Sequence, residues 1–222
     1  MSSVKDMTHG NPAKLIFFFA LPLIIGNLGQ QIYMITDTVI VGQGVGLDAL
    51  ASLGATDWIY WLVLWSVQVL TQGFAVLITQ NIGEGNEKAV KKSIAMSTLL
   101  CLTMGTLVSA TFPFLASPLL RLLKTPEDIF AGALSYVVVM YAGTLIVMAY
   151  NMASAVLRSF GDGKTPLIAM IIAAAVNIGL DLLLVMGFHW GITGAAVATI
   201  LSQLLAFLYC LRMIGKIPAA KL

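Results

Sequence analysis

Six long apolar stretches run along this chain, each closed by a short cluster of polar and turn-forming residues. The stretches cover residues 15–41, 58–82 (with a start as early as 47), 93–120, 129–157, 165–188 and 191–211. A bilayer core needs roughly 20 apolar residues of helix, so each is long enough to span it. Only helices and closed barrels satisfy the backbone in hydrocarbon, and the strict alternation of a barrel strand is absent. The pattern therefore predicts an all-α membrane protein, a six-transmembrane-helix bundle over 15–215. A segment of 1–14 precedes it and a tail of 216–222 follows it. The first stretch is too long for a secretory signal peptide and lacks a small-residue cleavage site.

Within the stretches, polar residues fall at helical spacing. Asn27, Gln30, Met34 and Asp37 follow steps of three and four and share one face of the first helix. Pro22, Gly26 and Gly29 sit beside that stripe and suit a kink or close packing. Trp58, Trp61, Trp65, Gln68 and Gln72 form a second stripe. Asn177 and Asp181 lie one turn apart on the fifth span, and Thr199 and Gln203 one turn apart on the sixth. Several polar stripes in one bundle enclose a polar cavity. The sequence predicts that Asn27, Gln30, Met34, Trp65 and Gln68 line it. Asparagine and glutamine also act as interhelical glue, worth under about 2 kcal/mol each. Tryptophans also mark membrane interfaces, which suits Trp58 better than the deeper Trp65.

Composition agrees with the pattern. Of 222 residues, 59% are hydrophobic and 10% charged, against about 25% charged in soluble domains. Mean hydropathy is +0.94. The net charge of +2 is too small for nucleic-acid binding. Ten basic residues (Lys5, Lys14, Lys88, Lys91, Lys92, Arg158, Lys164, Arg212, Lys216 and Lys221) fall on one side of a six-span arrangement, and two, Arg121 and Lys124, on the other. That bias predicts a plasma-membrane protein with both termini cytoplasmic. Cys101 and Cys210 lie in apolar stretches without a Cys-His cluster and read as packing residues.

Asp37 and Asp181 change the picture most. Carrying a carboxylate to mid-membrane costs roughly 2.5–3.5 kcal/mol on insertion scales, so such residues mark function. No Lys or Arg shares their apolar stretches, so the neutralising partner is a proton, a metal cation or a cationic ligand. Two carboxyl groups in a low-dielectric pocket favour holding a proton between them. With the Asn177 amide oxygen and the Thr199 hydroxyl they also form an oxygen-only set suited to a hard cation such as sodium. Asp57, near the outer part of the second span, reads as a cap, an interfacial residue or a further cavity residue.

These residues resemble the amino-terminal lobe of the multidrug and toxic compound extrusion (MATE) family of antiporters. The resemblance runs from about 11 to 215. Its parts are Pro22…Asn27…Asp37-Thr38-Val39-Ile40-Val41-Gly42, the turn 157–166 (LRSFGDGKTP), Asn177-Ile178-Gly179-Leu180-Asp181, and the segment 191–199 (GITGAAVAT). The resemblance implies that Asp37, Asn177, Asp181 and Thr199 form the lobe's proton or sodium site. It implies export of small cationic or amphipathic compounds, with membrane lipid around the bundle, no enzymatic activity and no cofactor beyond the coupling ion. It also implies a second six-helix lobe, so the chain is expected to be a fragment, or a half-transporter that pairs with itself or another chain. A lobe of a lipid-linked oligosaccharide flippase is an alternative, but its pyrophosphate calls for Arg or Lys in the cavity. An intramembrane aspartyl protease also uses two membrane carboxylates, but its Tyr-Asp and Gly-x-Gly-Asp settings are absent.

Overall fold

The computed structural model describes residues 11–217, apart from six side chains of the first helix, at positions 19, 22, 23, 27, 30 and 33. The described residues form helices joined by short turns: α1 (Pro12–Gly44), α2 (Leu47–Gly83), α3 (Glu87–Leu122), α4 (Glu127–Ala142), α5 (Thr144–Ser159), α6 (Lys164–Asp181) and α7 (Gly191–Ile214). A π segment (Leu182–Gly187) continues α6. Most of 1–14 and 216–222 lies outside the described residues. The first helix starts at Pro12, slightly before the expected position 15.

The turns carry their own capping chemistry. The Ala13 N–H donates to Asn11 Oδ1 at 3.0 Å, and Pro12 opens α1 where a missing N–H costs nothing. The Ala89 N–H donates to Asn86 Oδ1 at 3.1 Å, and Gly85 supplies the left-handed residue before it (φ 69°). At the start of α6 the Thr165 N–H and hydroxyl donate to Asp162 Oδ1 and Oδ2 at 2.9 and 2.6 Å.

Four helical segments are long and apolar enough to cross a membrane: α2, α3, α6 with its π segment, and α7. The expected fourth span is broken. Helices α4 and α5 meet at Gly143 with a 47° bend, and together they pass as one span. Helix α1, 33 residues long, has the length of a further span. A break in hydrocarbon exposes backbone donors and acceptors, and side chains here meet one of each. The Leu145 N–H donates to Ser109 Oγ on α3 at 2.9 Å, and the Thr144 hydroxyl donates to the Met140 carbonyl at 3.2 Å. The bend sits where backbone meets α7: a Cβ at Gly143 would overlap the Ile200 side chain.

Helix α7 is the hub. Ala195, Ala196, Ala198 and Ala206 are fully buried, and these small residues let α4, α5 and α6 approach closely. One apolar cluster gathers Val67, Ile94, Met148, Leu157 and Phe160 towards the end that carries most of the basic residues. A second packs Tyr60, Leu120, Val137 and Tyr141. A third, around Val41, Leu53, Val185 and Ile192, lies beside the predicted site. Cys101 and Cys210 are buried, free thiols within the first cluster. Helix α1 packs chiefly on α6, where a Cβ at Gly29 would come within 2.9 Å of Met170 Cε. Close packing is thus the use made of the glycines beside the first polar stripe.

Candidate functional site

Asp37 on α1 and Asp181 at the end of α6 meet within the bundle, their carboxyl groups close enough to act on each other. Asp181 is fully buried, Asn177 is fully buried one turn before it, and Thr199 on α7 is 7% exposed. Asp181 Oδ1 and Asp37 Oδ1 are buried with no hydrogen-bond partner among the described residues.

The Asn177 amide ties the group together. With its nitrogen towards the carboxylate, Nδ2 donates to Asp181 Oδ2 at 2.8 Å and Oδ1 accepts from the Thr199 N–H at 3.2 Å. The opposite orientation leaves a 3.4 Å bond from Nδ2 to Thr199 Oγ1 and sets the amide oxygen against Asp181. An ionised Asp181 is acceptor-only, so it selects the first orientation. Directly after Asp181 the helix widens into the π segment, where the Phe188 N–H reaches back to the Leu183 carbonyl at 2.8 Å. Such widened turns are frequent at functional sites.

A cavity of about 580 Å³ opens beside this group, walled by α1, α2, α4 and α7. Met34, Asp37 and Thr199 line it, as do Asp57, Trp58, Trp61, Tyr136 and Gln203. Asp37 thus forms part of the cavity wall, while Asp181 and Asn177 lie behind it. No group of three or more His, Cys, Asp or Glu side chains suited to a metal occurs among the described residues. The oxygens at hand are two carboxylates, an amide and a hydroxyl, a set that fits a proton or a hard monovalent cation.

The substrate-cavity residues read from the sequence are placed unevenly. Met34 lines the carboxylate cavity. Trp65 does not: it is 52% exposed and lies in a shallow groove along an exposed face of α2, its ring 5.0 Å from that of Trp61. Trp58, read as an interfacial residue, is 77% exposed and also borders the carboxylate cavity. Spacing puts these rings on one ridge of α2, but contact with neighbouring helices decides which are covered. Gln68 lines a second, smaller cleft of about 210 Å³ towards the basic end, together with Gln72, Asn151 and Arg158. Arg158 is the one charged side chain of this cleft, and the carboxylate cavity has no basic residue in its lining. The side chains of Asn27 and Gln30 lie outside the described residues. Tyr136 and Met140 carried no sequence signal, because nothing polar marks their face of α4.

Comparison with known proteins fits this geometry. The family model described as MatE matches residues 22–183. The chain is 35% identical over 204 residues to the "Probable multidrug resistance protein YpnP" of Bacillus subtilis (strain 168), covering 92% of this chain and 46% of that protein. It is 31% identical over 195 residues to the "Probable multidrug resistance protein NorM" of Thermotoga maritima, covering 86% and 42%. The crystal structure of a MATE protein in complex with MaL6 superposes with a TM-score of 0.90 at 25% identity, over 99% of this chain and 49% of that one. The chain thus spans about half the length of the relatives it matches. Matched by the family model over most of its length and sharing the helical architecture of a MATE lobe, the chain belongs to the MATE family of membrane transporters.

Proposed function

We propose that this chain works as one lobe of a cation-coupled antiporter, in which Asp37, Asn177, Asp181 and Thr199 take up a proton or sodium ion whose inward movement drives export of cationic or amphipathic compounds. The observation that carries this reading is the meeting of Asp37 and Asp181 inside the bundle beside an aromatic-walled cavity. Two facing carboxylates without a basic partner are unstable as a doubly charged pair. A proton or cation entering between them removes that repulsion, and a cationic compound in the cavity competes for the same field. Charge on the pair and cargo in the cavity are then linked, as exchange requires. Trp58 and Trp61 supply aromatic faces for a cation or a flat apolar body. The second lobe would close the opposite side of the cavity. The excess of basic residues supports a cytoplasmic side of the plasma membrane for the turns at 83–92 and 161–166 and for both termini.

The test is transport in proteoliposomes where cross-linking shows paired lobes. Efflux of a fluorescent cation is driven by an imposed proton or sodium gradient. Asp37→Asn and Asp181→Asn should each abolish driven efflux while the helical content stays unchanged. Unchanged efflux in both variants would remove the coupling role.

A further inference from the structure

The smaller cleft points to a ligand of opposite charge. It lies towards the basic end of the bundle, between α2, α5, α6 and α7, and touches the carboxylate cavity at Leu64 and Gln203. Its one charged side chain is Arg158, half-buried in the last turn of α5. A guanidinium offers five donors in a fixed plane. Among the described residues, none of them meets a hydrogen-bond acceptor or an acid.

The groups around it explain why. Tyr150 and Cys210 are its titratable neighbours, and a phenol and a thiol ordinarily carry no charge at neutral pH. Asp162, on the adjoining turn, spends both carboxylate oxygens on Thr165 at the start of α6. The remaining wall is uncharged, with the amides of Gln68, Gln72 and Asn151 set among apolar residues such as Leu64, Leu167 and Met170. A desolvated cation without a counter-charge is costly, and structures avoid it unless a ligand supplies the charge.

We propose that this cleft is a binding site for a small anionic group, a phosphate or carboxylate held by the Arg158 guanidinium, with Gln72 donating to its remaining oxygens. Planar guanidinium matches both anions with paired hydrogen bonds. At about 210 Å³ the cleft is smaller than the roughly 300–1,000 Å³ of drug-sized pockets, so it takes an anionic head and not a whole drug. The site needs no coupling at Asp37 and so stands apart from the antiport reading. Two sources share this chemistry: the headgroup of an anionic lipid and a soluble anion.

The experiment is equilibrium binding to the full chain in neutral detergent, with inorganic phosphate in one arm and dihexanoyl phosphatidylglycerol in the other. Saturable binding of phosphate marks a soluble anion; binding of the lipid alone marks a headgroup. Arg158→Gln should weaken the binding by about tenfold or more, the loss expected for a charge-assisted hydrogen bond. Arg158→Lys should keep part of it. Gln72→Leu leaves the charge in place and should also weaken binding, so it decides the matter if Arg158→Gln does not fold. Absence of saturable binding in both arms overturns the proposal. So does binding that the folded variant leaves unchanged.

Discussion

Asn177 sits at the centre of the site's hydrogen bonding, and its amide has two faces to offer. Towards an ionised Asp181 it presents nitrogen; towards a protonated Asp181 it can present oxygen and accept the acid proton. Either way Thr199 supplies the second contact, through its N–H at 3.2 Å or its hydroxyl at 3.4 Å. Leucine is close in volume but offers neither atom. Asn177→Leu should therefore leave Asp181 buried with one partner fewer and destabilise the lobe by about 1–3 kcal/mol. Thermal unfolding in detergent reads that as a lowered midpoint; an unchanged midpoint would mean the amide bonds contribute nothing net. This part of the site was legible in the sequence. A carboxylate in an apolar stretch is costly enough to stand out, and the four-residue spacing put Asn177 beside Asp181. Asp57 was harder to place. Near a helix start, capping and cavity lining look alike until the neighbouring helices are known.

At the scale of elements, the spans were legible because twenty-odd apolar residues admit few alternatives in a bilayer. The break at Gly143 was not, since Val139 to Val147 reads as one apolar run and no proline interrupts it. What breaks the helix is tertiary: Gly143 meets Ile200 on α7, and Ser109 on α3 receives the freed Leu145 N–H. Gly143→Ala should force these backbones apart and cost about 1–3 kcal/mol. Ile200→Ala removes the obstructing atoms. The double variant Gly143→Ala/Ile200→Ala should lose clearly less stability than the sum of its parts, because the two residues share one contact. Strict additivity in thermal unfolding would show that the bend does not depend on this approach. The π segment was equally silent, as Leu182 to Met186 carries no polar or glycine mark.

For the whole molecule, charge and topology can be tested together. Gln43, in the last turn of α1, and Glu84, on the α2–α3 turn, are exposed beside opposite ends of α2. Cys101 and Cys210 are buried and should stay silent. An impermeant thiol reagent added outside intact cells should label Gln43→Cys and spare Glu84→Cys until the membrane is opened. The reverse pattern would invert the orientation. The depth of the two acids has a further consequence, which is one of order in time. Asp37 stands in the cavity wall, and Asp181 is sealed behind it. Anything arriving from the cavity therefore meets them in single file. A hydrophobic carbodiimide, which attacks protonated carboxyl groups, should modify Asp37 quickly and Asp181 slowly, as peptide mapping by mass spectrometry would show. Asp37→Leu should leave Asp181 almost inert, because it plugs the doorway. Equal rates at both positions would reveal a back entrance to Asp181.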